Sequence, residues 1–445
     1  MRSLCSLAVG ALLLTGVATQ LAAQSPEQQK NWHQFRGPAA NGVAPLANPP
    51  LEWSETKNVR WKVAVPGLGS STPIIWNDKV FLLTAIETDR VGEGAVLPED
   101  QPKRQFGIVF PHKVHKFVVL CLDRKTGKTL WEQTATEQVP HEGVHPDNDF
   151  ASASPITDGE RLYVPFGSRG IYAFDLDGKL LWKRDLGRMQ IKISFGEGSS
   201  PALYGDLLIV PWDHEGESFI IALDTKTGET KWKTPRDENT AWATPLVVET
   251  GSGAQVVTNA SAKVRSYDAR TGELLWECGG QVGNVTPSPV SNGELVFCMS
   301  GFRGSALYAL PLTERGDLTD SDKIAWKADR GTPYIPSPLL YGDRLWFTQG
   351  NEGILSCLDA QTGKPIIERT RMPGISKIYS SPVGAADRIY FVSRDGQTLV
   401  VRNGDKFEVL AENKLEGDQF DGSPAVAGNQ IFIRSQSHLY CIEEQ

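Results

Sequence analysis

Histidine and carboxylate side chains gather in two parts of the sequence, and each group could supply ligands to a metal ion. The candidate ligands are His141, His145, Asp213, His214 and Glu215. Imidazole and carboxylate groups are common ligands of Zn²⁺ and related cations. The histidines stand on segments without fixed helical spacing, and acidic residues are common at hairpin tips. Solvated loops are therefore the preferred interpretation of both groups, and a cation or polar-ligand site is the alternative.

A second set consists of aromatic, acidic and amide residues that stand just before successive strand-like segments. Its members are Asp149, Phe195, Glu197, Trp242, Asn284, Tyr334, Tyr379, Phe420 and Asp421. If the segments surround a channel, these residues ring its mouth and could bind a flat or polar molecule. Packing of aromatic rings at the strand ends explains them equally well. The choice depends on the elements that position them.

A repeated phrase indicates which elements those are. CLDRKTGKTLWEQ occupies 121–133, and ALDTKTGETKWKT occupies 222–234. In each copy an Asp opens a turn, because its carboxylate can hydrogen-bond the turn backbone, and a Gly four residues later accepts a positive φ. Short β-forming runs flank the turn. The phrase therefore predicts a β-hairpin that recurs along the chain.

Proline marks the period of this repeat. The prolines that follow Ser, Thr or a near equivalent are Pro73, Pro155, Pro201, Pro245, Pro289, Pro338, Pro382 and Pro424. Apart from a first gap of 82 residues, they stand 42 to 49 residues apart, which is the period of a four-stranded propeller blade. The eight starts predict an all-β, eight-bladed β-propeller of four-stranded antiparallel blades.

Tryptophans in the fourth strand are expected to dock each blade against the next. They are Trp61, Trp131, Trp182, Trp232, Trp276 and Trp326. The strand at 58–65 has no other strands of its blade before it, whereas the last repeat lacks its fourth strand, so the N-terminal strand is expected to close the ring. The propeller then spans 58–445, after an extension, 24–57, of uncertain path. The sixth and seventh blades replace the Trp, which predicts differently packed seams there.

Loop lengths predict an elaborated surface on one face. In a blade with strands A to D, the B–C and D–A loops emerge on one face, and the A–B and C–D loops emerge on the other. The long insertions fall between strands B and C of the first blade and in the next two D–A connections. All three therefore lie on the same face, where binding loops are expected.

The first residues resemble an export signal. Residues 1–23 combine the early Arg2 with an apolar run and a small-residue end, so a signal peptide cleaved near Ala23 is expected. Cys5 precedes the apolar run, so no lipid anchor is expected. No later stretch approaches the roughly 20 apolar residues of a membrane span. The sequence therefore predicts a monomer in the periplasm or outside the cell.

Charge and cysteine content exclude other classes of protein. The formal net charge is −8, and no Lys/Arg-rich run appears, so nucleic acid is not expected as a partner. The cysteines after the signal include no adjacent pair, and a disulfide framework is not indicated. Cys121, Cys357 and Cys441 occupy equivalent places in the repeat and are expected to be small buried residues on strands.

The pattern SSP…G…LxALDxxTGxxxW resembles the PQQ-like repeat of quinoprotein alcohol dehydrogenase-like propellers, over roughly residues 58–445. The segment from Trp32 to Val43 resembles a WxQFRGPxxNGV-like stretch of many exported bacterial propellers. The same resemblance relates the chain to the scaffold propeller of the outer-membrane β-barrel assembly machinery. These motifs are specific for the fold and weakly informative about activity.

A carbohydrate or small-molecule binder that uses the aromatic mouth is one interpretation. Beside it, the loops elaborated on one side and the resemblance lead to two main functions. The preferred one is a non-catalytic scaffold in the cell envelope that binds a protein or a small polar ligand, with no catalytic residue and no firmly predicted cofactor. The alternative is a dehydrogenase that uses PQQ and Ca²⁺, with Glu197, Asn284 and either Asp421 or Asp149 in the site. Many such enzymes clamp PQQ with a disulfide between adjacent cysteines, which this chain lacks.

Overall fold

The computed structural model describes residues 25–444, so the predicted signal peptide lies outside the described residues. No helix in the described residues is long and apolar enough to cross a membrane. The one α-helix, Pro26–Lys30, is capped by Ser25. Single 3₁₀ turns occupy Pro98–Asp100, Gln105–Gly107, Gly167–Arg169 and Lys192–Ser194.

Eight four-stranded antiparallel sheets form the blades of a propeller, as the repeat predicts. In the order A, B, C, D, the strands of blades 1 to 4 are Ile74–Trp76, Lys79–Val91, Lys113–Asp123 and Thr129–Gln138; Ile156–Thr157, Arg161–Pro165, Ile171–Asp175 and Leu180–Arg184; Ala202–Tyr204, Leu207–Trp212, Ser218–Asp224 and Thr230–Arg236; Leu246–Thr250, Gly253–Asn259, Lys263–Asp268 and Leu274–Gly279.

The second half of the ring repeats the same order of strands. The strands of blades 5 to 8 are Val290–Ser291, Leu295–Ser300, Ala306–Pro311 and Trp326–Ala328; Leu339–Tyr341, Arg344–Thr348, Ile354–Asp359 and Pro365–Arg371; Val383–Ala385, Arg388–Val392, Gln397–Arg402 and Val409–Lys414; Ala425–Ala427, Gln430–Arg434, His438–Glu443 and Val59–Ala64. Strand D of blade 8 is therefore the N-terminal strand, which pairs antiparallel with His438–Glu443 and closes the ring. The prediction of an N-terminal closing strand is confirmed.

The repeated Asp–Gly turn and the tryptophan form one joint between blades. The Nε1 of Trp61 donates a hydrogen bond of 3.0 Å to the carbonyl of Arg124 in the C–D turn of the next blade. Gly127 of that turn has φ +72°, and a Cβ there would lie 2.8 Å from the Trp61 ring. Glycine is thus required twice, for the turn and for the close approach of the indole. Trp131, Trp182, Trp232 and Trp326 repeat this hydrogen bond at 3.0 to 3.2 Å.

Trp276 departs from this pattern because blade 5 has no Asp–Gly turn. Residues 312–325 are inserted between its strands C and D instead, and Gly316–Asp317 adds a parallel fifth strand to blade 4. Trp276 is fully buried and donates to Gln255 of its own blade at 3.1 Å. An inserted segment therefore seals this seam in place of the turn.

The residue on strand C that faces the docking side chain of strand D is usually small. Trp61, Trp131 and Ile367 face Cys441, Cys121 and Cys357, respectively. These cysteines are unpaired and buried, which confirms their predicted role as small strand residues. In blade 7 the sizes are reversed, because Ala411 faces Val400. There Trp53 of the N-terminal extension packs into the same core cluster, with its ring stacked on Tyr390 at 6.1 Å between centroids.

The Ser/Thr residues before the prolines join the blades around the central channel. In blades 1 to 7, the backbone N–H of this position donates to the side-chain hydroxyl of the same position in the next blade, at 2.8 to 3.1 Å. The participants are Thr72, Ser154, Ser200, Thr244, Ser288, Ser337, Ser381 and Ser423. This belt explains why a hydroxyl residue precedes proline in blades 2 to 8, since it satisfies a buried backbone donor that would otherwise be unpaired. The Thr72 hydroxyl of blade 1 has no hydrogen-bond partner among the described residues.

The N-terminal extension crosses one end of the channel, and we call residues 31–57 the strap. Trp32 pairs with Ile75 of blade 1, and the carbonyl of His33 accepts from Thr157 of blade 2. Only eight residues later, Asn41 accepts from Leu340 of blade 6, on the opposite side of the ring. Further backbone bonds tie the strap to Gly384 and Gly428 of blades 7 and 8. Because these partners lie on or next to strands A near their A–B turns, the strap covers the face opposite the B–C and D–A loops.

The strap seals its end of the channel with buried side chains. Trp32 and Arg36 are fully buried. The Arg36 guanidinium donates to the carbonyls of Pro338 and Pro382, at 2.6 Å each, and burial without a carboxylate partner lowers its pKa to about 9. His33 packs edge-on against Trp76, and burial lowers its pKa to about 4. The channel can therefore be entered only from the elaborated face.

Candidate functional site

The open end of the channel forms a cavity of about 410 Å³, which we call the well. It is lined by Ser70, Phe106, His145, Asp147, Asn148, Ser152, Phe195, Gly198, Trp242, Thr286, Phe302, Arg303, Tyr334, Ile335, Tyr379 and Asp421. The lining residues come from D–A connections and from the B–C loops of blades 1 and 5. The elaborated face and the channel mouth therefore form one continuous surface.

Aromatic rings form two walls of the well. On the side of blades 1 to 3, Phe106, His145 and Phe195 contact one another with ring centroids 5.3 to 5.4 Å apart. Trp242 continues this wall, 6.5 Å from Phe195. On the side of blades 5 and 6, Phe302 and Tyr334 lie 5.0 Å apart. Aromatic faces on two sides of a cavity favour a flat, apolar group between them.

The charged groups on the side of blades 7 and 8 pair with one another. Arg394 donates to Asp421 through Nε at 2.7 Å and to Asp147 through Nη1 at 3.0 Å. Tyr379 lies under the guanidinium, at 4.0 Å, and donates to Asp147 at 3.0 Å. Burial raises the pKa of Asp421, and burial together with Asp147 raises the pKa of Tyr379 to about 12. At neutral pH the phenol therefore stays protonated as a donor.

Several residues at the mouth adopt backbone conformations that disfavour their side chains. Phe106, Ile193, Ser194, Asn284 and Arg303 all have φ between +51° and +57°. Left-handed backbone is strained for residues other than glycine, most of all for a β-branched residue such as Ile193. Phe106 and Ile193 are also exposed, at 58% and 41%. Strained and exposed apolar residues add nothing to the core, so their placement favours binding.

The residues predicted to ring the mouth divide into two groups. Phe195, Trp242, Tyr334, Tyr379 and Asp421 line the well. The other four, Asp149, Glu197, Asn284 and Phe420, are not among the residues that line it. Position before strand A therefore identifies the channel mouth, but not which side chains point into it.

Each of these other four has a partner within the protein. Asp149 accepts from Ser70 at 2.5 Å. Glu197 pairs with Arg169 at 2.8 Å, and Asn284 accepts from Lys192 at 2.9 Å. Phe420 is fully buried and packs against Tyr440. Their side chains support the walls of the channel.

The five candidate metal ligands are distributed over separate contacts. Asp213 forms a buried two-pronged ion pair with Arg236, at 2.7 and 3.0 Å. His214 accepts from two backbone N–H groups, and Glu215 accepts from Thr240. His141 bonds the carbonyl of Met189, whereas His145 lies in the aromatic wall. Residues 25–444 contain no group of three or more His, Cys, Asp or Glu side chains that could hold a metal ion.

Some residues that line the well were not predicted from the sequence. Phe302 and Arg303 lie in the B–C loop of blade 5 and Phe106 in that of blade 1, whereas the ring was predicted only from residues before strands A. The B–C loops emerge on the same face, so their aromatic tips could have been included. Arg303 makes no hydrogen bond or ion pair with any described residue and lies 5.1 Å from the Phe302 ring.

The residues expected to hold Ca²⁺ beside PQQ do not fit that role. Arg169 is paired with Glu197, Lys192 with Asn284 and Arg394 with Asp421. Calcium takes six to eight oxygen ligands, and a protein cation within 3 Å of an oxygen opposes a second cation there. Glu197 and Asp421 therefore already face guanidinium groups and Asn284 an ammonium group, whereas Asp149, the alternative to Asp421, accepts from Ser70.

The fold and the mouth define a closed eight-bladed β-propeller whose channel is covered by the strap at one end and open at the other. The family model described as outer membrane protein assembly factor BamB (PQQ_2) matches residues 115–368. This match covers more than half of the chain, so the chain belongs to that family. Curated protein sequences give no match.

Solved structures of two kinds resemble this propeller. BamB from Moraxella catarrhalis is 15% identical with a TM-score of 0.53, over 81% of this chain and 99% of that one. Quinohemoprotein alcohol dehydrogenase from Comamonas testosteroni is 11% identical with a TM-score of 0.61, over 94% of this chain and 81% of that one. The dehydrogenase ADHIIG from Pseudomonas putida HK5 is 9% identical with a TM-score of 0.57, over 94% and 80%. At these identities the similarity shows the fold alone.

Proposed function

We propose that this protein is a non-catalytic binding scaffold of the cell envelope, which recognises its partner or ligand through the well and the loops around it. The observation that carries the proposal is the well itself, about 410 Å³ in volume and aromatic on two sides. It opens only toward the elaborated face, because the strap covers the other end. Binding residues concentrate on such loops when a rigid scaffold positions them.

The charges at the mouth support binding without catalysis. The carboxylates of Asp147 and Asp421 share Arg394, and the carboxylate of Glu197 is held by Arg169. A general base must be free to accept a proton from a substrate, and these groups are bound to guanidinium ions, whereas Asp149 accepts from the Ser70 hydroxyl. The same pairs oppose the alternative PQQ- and Ca²⁺-dependent dehydrogenase.

The location in the envelope is part of the proposal. It rests on the export signal that the first 23 residues resemble and on the described family, whose name refers to outer membrane protein assembly. We propose a signal peptide cleaved near Ala23, a mature monomer, and an envelope protein as the macromolecular partner.

Titration with PQQ and Ca²⁺ separates the scaffold from the dehydrogenase. Calorimetry should give no saturable binding of PQQ in the presence of Ca²⁺, and an electron-accepting dye should not be reduced when alcohols or sugars are added. Saturable binding together with dye reduction would overturn the scaffold.

Two exposed apolar residues provide a matched test of the binding face. Phe106 lies at the mouth and Leu46 lies in the strap, and both are 58% exposed. Immobilised wild type, Phe106→Asp and Leu46→Asp should be incubated with an envelope extract. We expect wild type and Leu46→Asp to retain the same proteins and Phe106→Asp to lose some of them. Identical sets for all three would contradict a partner at this face.

A further inference from the structure

The hydrogen-bonding state of the well indicates which ligand class it accepts, on the assumption that the proposed binding function is correct. The amide of Asn148 donates to the carbonyl of Phe195 at 2.9 Å and accepts from the N–H of Asp149 at 2.8 Å. Ser70 and Ser152 donate to neighbouring side chains of the protein. Asp147 and Asp421 are committed to Arg394. Most polar groups of the well are therefore already paired within the described part of the protein. The exceptions are Arg303 and the Nε2 of His145, whose Nδ1 accepts from the N–H of Asp147.

A ligand rich in hydroxyl groups is disfavoured by this arrangement. Every hydroxyl that enters the well loses its hydrogen bonds to water and finds few protein groups to replace them. An unpaired buried polar group costs about 1–3 kcal/mol. The small polar ligand anticipated from the sequence is therefore a poor match, whereas a flat ring recovers contacts from Phe195 and Trp242 on one side and from Tyr334 on the other.

One charged group of the lining is available to a ligand. Arg303 has no carboxylate partner among the described residues, and its left-handed backbone, φ +54°, holds it at the edge of the wall formed by Phe302 and Tyr334. The carboxylates of the lining are Asp147, in the connection between blades 1 and 2, and Asp421, before strand A of blade 8, and Arg394 holds both. A negative charge on the ligand would therefore face Arg303.

We infer that the well binds an aromatic ring system that carries a single negative charge, with the ring between the two aromatic walls and the charge at Arg303. A multiply charged aromatic acid does not suit it, because the lining offers one cation without an ion-pair partner. The same chemistry can come from a free aromatic carboxylate or from an aromatic residue beside an acidic one in a partner protein.

Calorimetric titration of the full-length mature protein with 2-naphthoate tests this inference. The comparison compounds are the neutral 2-naphthalenemethanol, which keeps the ring, and maltose, which offers hydroxyl groups without an aromatic ring. An acetylated and amidated Gly-Gly-Trp-Asp-Gly peptide represents the protein source. We expect 2-naphthoate to bind with one-to-one stoichiometry, 2-naphthalenemethanol to bind more weakly, and maltose not to bind.

Three variants locate the binding. Because an exposed charge contact contributes modestly, Arg303→Gln should weaken the binding of 2-naphthoate about three-fold. The affinity for 2-naphthalenemethanol should not change. Tyr334→Ala removes one wall and should weaken both about ten-fold. Arg188→Gln removes an exposed cation on the same face that does not line the well, and should change neither. Circular dichroism of each variant verifies that the propeller is folded.

The outcomes distinguish this inference from the proposed function. Competition between the peptide and 2-naphthoate would support the inference and identify a protein segment as the source, whereas binding of 2-naphthoate alone would support it with a small molecule as the source. Binding of maltose, absence of 2-naphthoate binding, or binding that Tyr334→Ala leaves unchanged would overturn it. If Phe106→Asp still loses envelope proteins in that case, the scaffold function stands and only the ligand class is wrong.

Discussion

The two ends of the central channel carry the same kinds of side chain in opposite states. At the closed end, Trp32 and Arg36 are fully buried, and Arg36 donates to two proline carbonyls. At the open end, Phe106 is exposed, and Arg303 has no hydrogen bond or ion pair with the described residues. An aromatic or cationic residue type thus does not reveal its role. Burial marks the closed end and exposure marks the open end. Left-handed backbone occurs at both, since Arg36 has φ +67° and Phe106 has φ +57°.

The largest expected effect comes from a tryptophan at each end. Trp32→Ala should lower the free energy of unfolding by about 3–5 kcal/mol, because it leaves a cavity in a fully packed region. Trp242→Ala should cost less stability, because Trp242 is only half-buried, but should weaken ligand binding. Chemical denaturation of both variants measures the difference.

Leu46→Ala provides the control for the strap, because this exposed residue should change the free energy of unfolding by less than about 0.5 kcal/mol. Equal losses of stability in Trp32→Ala and Trp242→Ala would contradict the division between the two ends.

Acidification should weaken the closed end through His33. Burial lowers the pKa of His33 from 6.5 to about 4 in the folded protein, so below pH 6.5 the unfolded chain binds the proton more readily. The stability contribution is present above pH 6.5 and is lost as the pH falls toward 4. Between pH 7.5 and 5.5 the free energy of unfolding should fall by about 1 kcal/mol more in wild type than in His33→Gln. If the free energy of unfolding falls by the same amount with pH in both proteins, His33 is not responsible for the loss of stability.

The smallest expected effect is a gain in stability at the open end. Ile193 is β-branched, exposed and held at φ +51°. Ile193→Gly removes the strain, and after the entropic cost of glycine the free energy of unfolding should rise by about 0.5 kcal/mol. Thermal unfolding of Ile193→Gly measures this gain. Val109→Gly is the control, because Val109 is another exposed apolar residue of the elaborated face. A loss of stability in Ile193→Gly would show that the side chain packs in the fold and does not serve the surface.

The propeller ring could be predicted from the sequence because the motifs that specify it are local and repeated. An Asp, a Gly and a Trp within about a dozen residues specify a turn and the joint to the next blade, and Ser/Thr-Pro specifies the start of strand A. The blades that depart from the repeat could also be recognised in the sequence, since the fourth strands of blades 6 and 7 lack the tryptophan. Ile367 and Ala411 take its place there, and the strap supplies Trp53 to the core beside blade 7.

The path of the strap and the interior of the well could not be predicted in the same way. Arg36 is held by Pro338 and Pro382, 302 and 346 residues away in sequence, and nothing local to Arg36 indicates those partners. The role of Glu197 likewise depends on Arg169, which a 3₁₀ turn brings to it. Position before strand A was enough to locate the mouth, whereas side-chain direction and charge pairing require the assembled ring.

A crystal structure of the protein soaked with 6-bromo-2-naphthoate tests the central claim most directly, because the anomalous signal of bromine locates the ligand without ambiguity. The account predicts one bromine peak inside the well, between the wall of Phe195 and Trp242 and the wall of Phe302 and Tyr334, with the carboxylate toward Arg303. A peak at the strap end of the channel, or a well without a peak while the compound binds in solution, would contradict it.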